Sequence, residues 1–337
     1  MKRKILIAGG MGFIGVALVK RFTKNDDVTI VDRLDFGISE ELKPLIDQGE
    51  IEFIETDLVN ISSIHKRINE SEFDLIVNVA AVTHIPTCTI FPDFAYNSNT
   101  LSVLNILNVL PKKTKLINFS TSSTYAPEEK EHTEKKSKLE PIDFYGWTKK
   151  HMEDLCNIYA KDKKLQIINI RLANAAGFGE TNPKLLGTIF LQIMNNQKKI
   201  KLGNLTPKRD FIHIDDIGWV INQLSIVWPV KEGEVEVINL GTGHEPVSVS
   251  EVFTKINSCF DNKFEIEIDE ARKRLVDRQL LCVDSTKLFS ILPKYKPKKI
   301  DDWLPDLAKK PNLRINNNLQ KLLDIKYGKF SKKIPTY

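Results

Sequence analysis

Tyr145 and Lys149 stand four residues apart in Tyr145-Gly146-Trp147-Thr148-Lys149. On a helix, positions i and i+4 share a face, so the ammonium can sit near the phenol and favour its ionised form. An ordinary phenol titrates near ~10, and bringing it to about 7 takes about 4 kcal/mol of differential stabilisation. A lysine in a partly desolvated pocket can supply much of that, and a bound cation the rest. Such a pair could take a proton from an alcohol. The motif is short and recurs by chance, so its meaning depends on what surrounds it.

Three further groups of residues give it context. Gly9-Gly10-Met11-Gly12-Phe13-Ile14-Gly15 follows an apolar run and opens a helical pattern. Gly9, Gly12 and Gly15 have the spacing for a tight turn, a close backbone approach to a pyrophosphate, and snug packing of helix on strand. The phosphates would then rest at the positive end of the helix. Asp32 lies 17 positions after Gly15, where a carboxylate can accept hydrogen bonds from an adenosine ribose. It would repel a 2′-phosphate, which favours NAD over NADP, although the adjacent Arg33 could accept such a phosphate. Thr56-Asp57-Leu58 reads either as a second adenosine contact or as a helix cap. Ser120-Thr121-Ser122-Ser123-Thr124-Tyr125 supplies a cluster of hydroxyls between these motifs and Tyr145.

The elements that must position these groups alternate along the first half of the chain. Lys4–Ala8, Asp27–Val31, Ile51–Ile54, Leu75–Val79, Leu116–Phe119 and Gln166–Ile170 are short and rich in β-formers, with helical stretches between them. That rhythm predicts an α/β protein of Rossmann type, a doubly wound parallel sheet. After about Asn174 the connections lengthen, and Val235–Leu240 reads as one more buried strand. The expected division is a dinucleotide-binding domain of residues 1–174 with about 213–242, and a smaller mixed α/β substrate domain of 175–212 and 243–337. From Leu313 the chain turns polar and lysine-rich, with Asn316-Asn317-Asn318, and reads as a docked helix and tail or a partly disordered end.

Composition bounds the function classes. The 337 residues, 42% hydrophobic and 28% charged, suit a globular enzyme able to bury a sizeable core. Cys88, Cys156, Cys259 and Cys282 are scattered without metal-ligand spacing, so neither a disulfide framework nor a metal site is expected. No apolar run approaches the roughly 20 residues that span a bilayer. The net charge of +5 is spread among interleaved acids, the pattern of a solvated surface that attracts a pyrophosphate ligand rather than of a nucleic-acid face. A cytoplasmic location is the natural expectation.

In this order the motifs resemble those of the extended short-chain dehydrogenase/reductase family, in its nucleotide-sugar epimerase/dehydratase branch, over about the first 290 residues. The resemblance implies that NAD is lined by Gly9, Gly12, Phe13, Ile14, Gly15, Asp32, Asp57, Leu58, Ala80, Ala81, Asn99, Tyr145 and Lys149. It implies a catalytic set of Thr121, Tyr145 and Lys149, with Ser122 in the place of Thr121 if the loop register differs. Arg171-Leu172-Ala173-Asn174-Ala175-Ala176-Gly177 is similar to a family segment whose Asn meets the substrate, with Ala176 where Tyr is usual. Leu202 to Phe211 resembles the family's nucleotide clamp, and Asn239-Leu240-Gly241 a later marker. Substrate contacts are accordingly implied at Thr83, His84, Ser122, Ser123, Asn174, Arg209 and Arg274, the last within a run that also holds Arg272 and Lys273.

One departure bears on the reaction. Family members that eliminate water place acids straight after the catalytic threonine, whereas here Ser122 and Ser123 follow it, and Glu128 and Glu129 are out of register. Serines do not readily protonate a leaving hydroxyl at neutral pH. The resemblance therefore implies oxidation at sugar C4, first as a 4-epimerase, next as a dehydrogenase releasing NADH, and third as a 4,6-dehydratase, which the Leu-Gly-Asn-Leu clamp favours. A reading from another class is a nucleotide-binding regulator without catalysis. The family also implies a homodimer formed through residues 93–110 and 145–162.

Overall fold

The computed structural model describes residues 2–314 apart from 61, 71, 183, 274–276 and 312. Six strands alternate with helices through its first half: β1 (Lys4–Ala8), β2 (Asp27–Asp32), β3 (Ile51–Glu55), β4 (Leu75–Asn78), β5 (Lys115–Thr121) and β6 (Ile167–Leu172). Together with Val235–Leu240 they make a seven-stranded sheet in the order Val235–Leu240, β6, β5, β4, β1, β2, β3. Every pairing in it is parallel. The order reverses between β1 and β4, and a doubly wound sheet opens a crevice at the carboxyl end of its strands at that point.

Both faces of the sheet are buried, which is why its strands read as continuous apolar runs rather than alternating ones. Ile5 and Ile7 pack with Val28, Ile30, Val77, Ile117, Ile168 and the helix Phe13–Phe22 (α1) on one face. Leu6, Ala8, Val31, Ile76 and Leu116 pack with Ile106, Met152 and Cys156 on the other. The helix Phe144–Lys163 covers this second face, capped by Asp143, whose Oδ1 accepts the Gly146 N–H at 2.8 Å, and ended by Lys164 in the left-handed region.

Beyond β6 the chain builds smaller pieces over the carboxyl edge. Lys199–Leu202 pairs with Glu265–Ile268, and Lys208–Arg209 lies between Val247–Ser248 and Leu280–Leu281. They share a separate apolar cluster of Phe190, Leu202, Val252, Trp303 and Leu307. Of the polar tail singled out in the sequence, Leu313 and Arg314 fall within the described residues; the Asn316-Asn317-Asn318 run lies outside them.

Candidate active site

The glycine loop turns directly out of β1. Gly9 holds φ at +83°, and a Cβ there would lie 2.6 Å from the Ala80 nitrogen, so β4's exit can close against the loop only if the residue is glycine. At Gly15 a Cβ would overlap the Gly9 carbonyl oxygen, which is what lets α1 begin so close to the turn. Asp32 ends β2 and accepts the Met11 N–H at 2.9 Å and the Leu34 N–H at 2.7 Å. Burial pushes its carboxyl up, against the opposing pull of these two donors. Arg33 is engaged by its neighbours: it is paired with Asp35 at 2.7 Å, bonded to Ser98 at 2.9 Å, and stacked 4.6 Å over the Phe94 ring.

Two cavities meet along this edge. The smaller is lined by Gly9, Gly12, Asp32, Arg33, Asp57, Leu58, Ala80 and Ala81 among others. The larger, about 380 Å³, holds Gly9, Gly12, Phe13, Ile14, Gly15, Ala81, Thr83, His84, Thr121, Ser122, Ser123, Tyr145, Lys149, Asn174 and Arg209 in its wall. Gly9, Gly12, Phe36, Val79 and Ala81 line both. The cleft thus runs from an adenosine-sized recess, past a glycine cradle, to a chamber with Tyr145 in its wall. This sequence of surfaces fits an extended dinucleotide.

Tyr145 and Thr121 share the wall of this chamber, with Thr121 Oγ1 accepting the Ser123 N–H at 3.2 Å. Lys149 is 2% exposed and donates to the Phe119 carbonyl at 2.7 Å. Burial pushes its ammonium down to about 8. The spacing argument expects a lowered phenol, but burial instead pushes the Tyr145 phenol up, with the Thr121 side chain acting the other way. Enclosure withdraws both groups from water, which disfavours the charged form of each. The chain's own residues thus do not by themselves make Tyr145 a base near neutral pH.

Behind this group lies a buried network. The Ser120 hydroxyl donates to Glu153, which pairs with Arg171 at 2.6 Å; Arg171 donates to the Tyr125 hydroxyl at 3.0 Å, and that hydroxyl to Asn239 at 2.7 Å. Glu153 follows Lys149 by four residues and so lies on the same helix face. The network ties the loop carrying Thr121 to the helix carrying Tyr145 and Lys149.

Several expected residues take different positions. Asn99 lines neither cavity: its side chain accepts the Val82 N–H at 2.7 Å and donates to the Val82 carbonyl and Thr148, locking the loop after β4 to the Tyr145 helix. Asp57 lines the smaller cavity, and its Oδ1 accepts the Val59 N–H at 2.9 Å in a local turn ahead of the helix that begins at Ser62. Arg209 reaches the chamber, braced by Asp277 at 3.1 Å and by the Arg278 carbonyl at 2.8 Å. Arg274 lies outside the described residues.

The sequence reading misses Arg278. It is 4% exposed, lines the chamber, and donates to the carbonyls of Tyr125 and Ser123, so it holds the serine-rich loop from below. In sequence it is one cation in a mixed-charge run, and only the pairing of Leu280–Leu281 with Lys208–Arg209 brings it here. Glu180 is also missed. Its carboxyl is buried in the chamber wall and pushed up to about 7 by that burial, with the nearby Lys184 charge acting the other way.

A model of the NAD dependent epimerase/dehydratase family matches residues 5–241. The chain belongs to that family. It is an NAD-dependent enzyme of the extended short-chain dehydrogenase/reductase type, and its relatives act on nucleotide sugars. A putative UDP-arabinose 4-epimerase 2 of Arabidopsis thaliana is 29% identical over 342 residues, covering 92% of this chain and 77% of that one. A GDP-6-deoxy-D-talose 4-dehydrogenase of Aggregatibacter actinomycetemcomitans is 28% identical over 294 residues, covering 86% and 91%. Among solved structures, the UDP-glucuronic acid 4-epimerase of Bacillus cereus, in complex with UDP-glucuronic acid and NAD, superposes with a TM-score of 0.80 at 23% identity, covering 91% and 99%. At that identity the superposition speaks for the shared fold.

Proposed function

We propose that this family member inverts C4 of a nucleotide-diphosphate sugar, with Thr121, Tyr145 and Lys149 as its catalytic residues. The observation that carries the reading is that Thr121, Tyr145 and Lys149 line one chamber that joins the glycine cradle on one side and Arg209 on the other. NAD, when bound, supplies an acceptor for the C4 hydride and a donor that can return it. Tyr145 takes the C4 hydroxyl proton through its phenolic oxygen, and Thr121 holds that hydroxyl in line. Lys149 contributes positive charge at the same helix face, offsetting part of what burial costs the phenolate. Arg209, fixed by Asp277, meets the diphosphate, so binding energy remote from C4 positions the reacting carbon.

The carboxyl groups in the chamber wall support epimerisation over dehydration. Among the described lining residues these are Asp143, Glu180 and Asp277. Asp143 caps the Tyr145 helix, Asp277 braces Arg209 and Asn204, and Glu180 lies buried some sixty positions beyond Thr121 in the chain. Ser122 and Ser123 stand directly after Thr121, and none of the three carboxyls takes that place. Net oxidation with release of NADH is the second reading, favoured by the likeness to a 4-dehydrogenase. A panel of UDP-, GDP-, CDP- and dTDP-sugars, read by mass and by NADH absorbance, separates the readings: unchanged mass with inverted stereochemistry supports epimerisation, loss of two hydrogens with NADH replaces it by oxidation, and loss of water by dehydration.

We further propose a homodimer. Trp147 and Ile158, 48% and 54% exposed, are eleven residues apart and so lie on one face of the Tyr145 helix. Tyr96 and His151 extend that apolar strip. No helix among the described residues is long and apolar enough to cross a membrane, and a cytoplasmic location remains part of the proposal.

A further inference from the structure

Arg314 bonds three segments that border the cleft. Its backbone N–H donates to the Glu180 carbonyl at 2.9 Å, next to the bridge between Leu313 and Glu180. Its guanidinium donates to the Met11 carbonyl at 2.9 Å and to the Gly37 carbonyl at 3.3 Å. These acceptors belong to segments far apart in sequence, with Met11 separated from Arg314 by 303 positions and Gly37 by 277.

Each acceptor is mechanically linked to a surface that faces the cleft. Met11 sits in the glycine loop, and its N–H donates to Asp32. Gly37 closes a turn onto the Leu34 carbonyl, and the adjacent Phe36 lines both cavities. Glu180 is in the chamber wall. We propose that Arg314 is a positioning residue that clasps the glycine loop, the Phe36 turn and the Glu180 segment together, retaining NAD in the cleft between turnovers.

The choice of side chain fits this task. A guanidinium stays charged at any working pH and presents several donors in a fixed plane, so one residue can hold two carbonyls at a set distance. Bonds from a charged donor are about twice as strong as neutral ones. Separating the glycine loop from the Phe36 turn, as departure of an extended dinucleotide requires, breaks both. A retained cofactor suits an enzyme that returns the hydride to the same substrate, but the proposal rests on the NAD-binding loop and stands whichever reaction at C4 is found.

The test is the NAD dissociation rate, measured by chasing the NAD-loaded protein with excess thio-NAD. Loss of the two charge-assisted bonds in R314A should speed dissociation by about tenfold or more, with R314K intermediate. Affinity for UDP, the nucleotide probe, should stay within about threefold, since R314A removes only the bonds to the glycine loop and the Phe36 turn and keeps the backbone bond to Glu180. A dissociation rate within about twofold of wild type, or an equal loss of UDP binding, overturns the clasp. Should R314A fail to fold, amide exchange on the wild-type chain decides instead: NAD should slow exchange at the Arg314 N–H, and unaltered exchange contradicts the proposal. Sugar-panel activity is a separate readout, so failure of the C4 reading leaves this result interpretable.

Discussion

The glycine loop and Asp32 at the heart of the dinucleotide half come from neighbouring turns of one βαβ unit, whereas the sugar half is stitched together from distant segments. Gly9 to Gly15 and Asp32 leave adjacent parallel strands, β1 and β2, and meet through the Asp32–Met11 bond. In the sugar half, Arg278 supports Ser123 across 155 positions and Arg209 is braced by Asp277 across 68. The first half works mainly through backbone shape and depends on the absence of side chains; the second works through side-chain charge held by other side chains. Damage to them should therefore read differently, cofactor binding failing in one and substrate binding in the other, with Tyr145 at the junction affecting neither binding step but all of the chemistry.

The largest break is expected at that junction. Tyr145→Phe removes the proton acceptor while keeping the ring, and turnover should fall by about 10³-fold or more with NAD still bound, as checked by kcat and cofactor titration. Near-normal kcat would remove Tyr145 from the mechanism. In the sugar half, Arg209→Met should raise the nucleotide-sugar KM by roughly ten- to a hundredfold, the size of one lost charge-assisted contact, and leave NAD affinity nearly unchanged. Asp32→Asn should do the reverse, weakening NAD by about tenfold and narrowing its advantage over NADP, measured by fluorescence titration of both cofactors. If either substitution moved both ligands equally, the two halves would not be separable.

A further effect concerns stability and its pH dependence rather than turnover or binding. Lys149 titrates at about 8 in the folded chain against an ordinary 10.5, which corresponds to about 3 kcal/mol of stability lost below pH 8. Between 8 and 10.5 the unfolded chain carries the extra proton, so stability should rise with pH across that window through this group. Lys149→Met should lack the rise, a difference visible in denaturation midpoints of the two proteins measured from pH 7 to 10.

The same contrast explains what could be read from the sequence. The glycine loop, Asp32 and the strand order rest on short-range pattern and backbone geometry, so spacing alone carries them. Thr121, Tyr145 and Lys149 come to one chamber wall because β5 and the Tyr145 helix bring them to the strand ends in order. Asn99 was expected at the cofactor but braces Val82 and Thr148, because a buried amide takes whichever backbone partners its loop brings, and no periodicity encodes that choice. Arg278 and Glu180 were missed for a related reason: each enters the chamber through pairings beyond β6 that join short strands with little pattern of their own. The phenol's upward displacement was invisible as well, since spacing gives the distance between charges but not the depth of their burial.

The central claim is that C4 is oxidised and then re-reduced within one bound complex. Incubation with a nucleotide sugar deuterated at C4, chosen from the active member of the panel, tests this most directly. The account predicts a 4-epimer that keeps the deuterium at C4, with no growth of NADH absorbance. Deuterium transferred to the nicotinamide and released, with a 4-keto sugar accumulating in step with NADH, would contradict it.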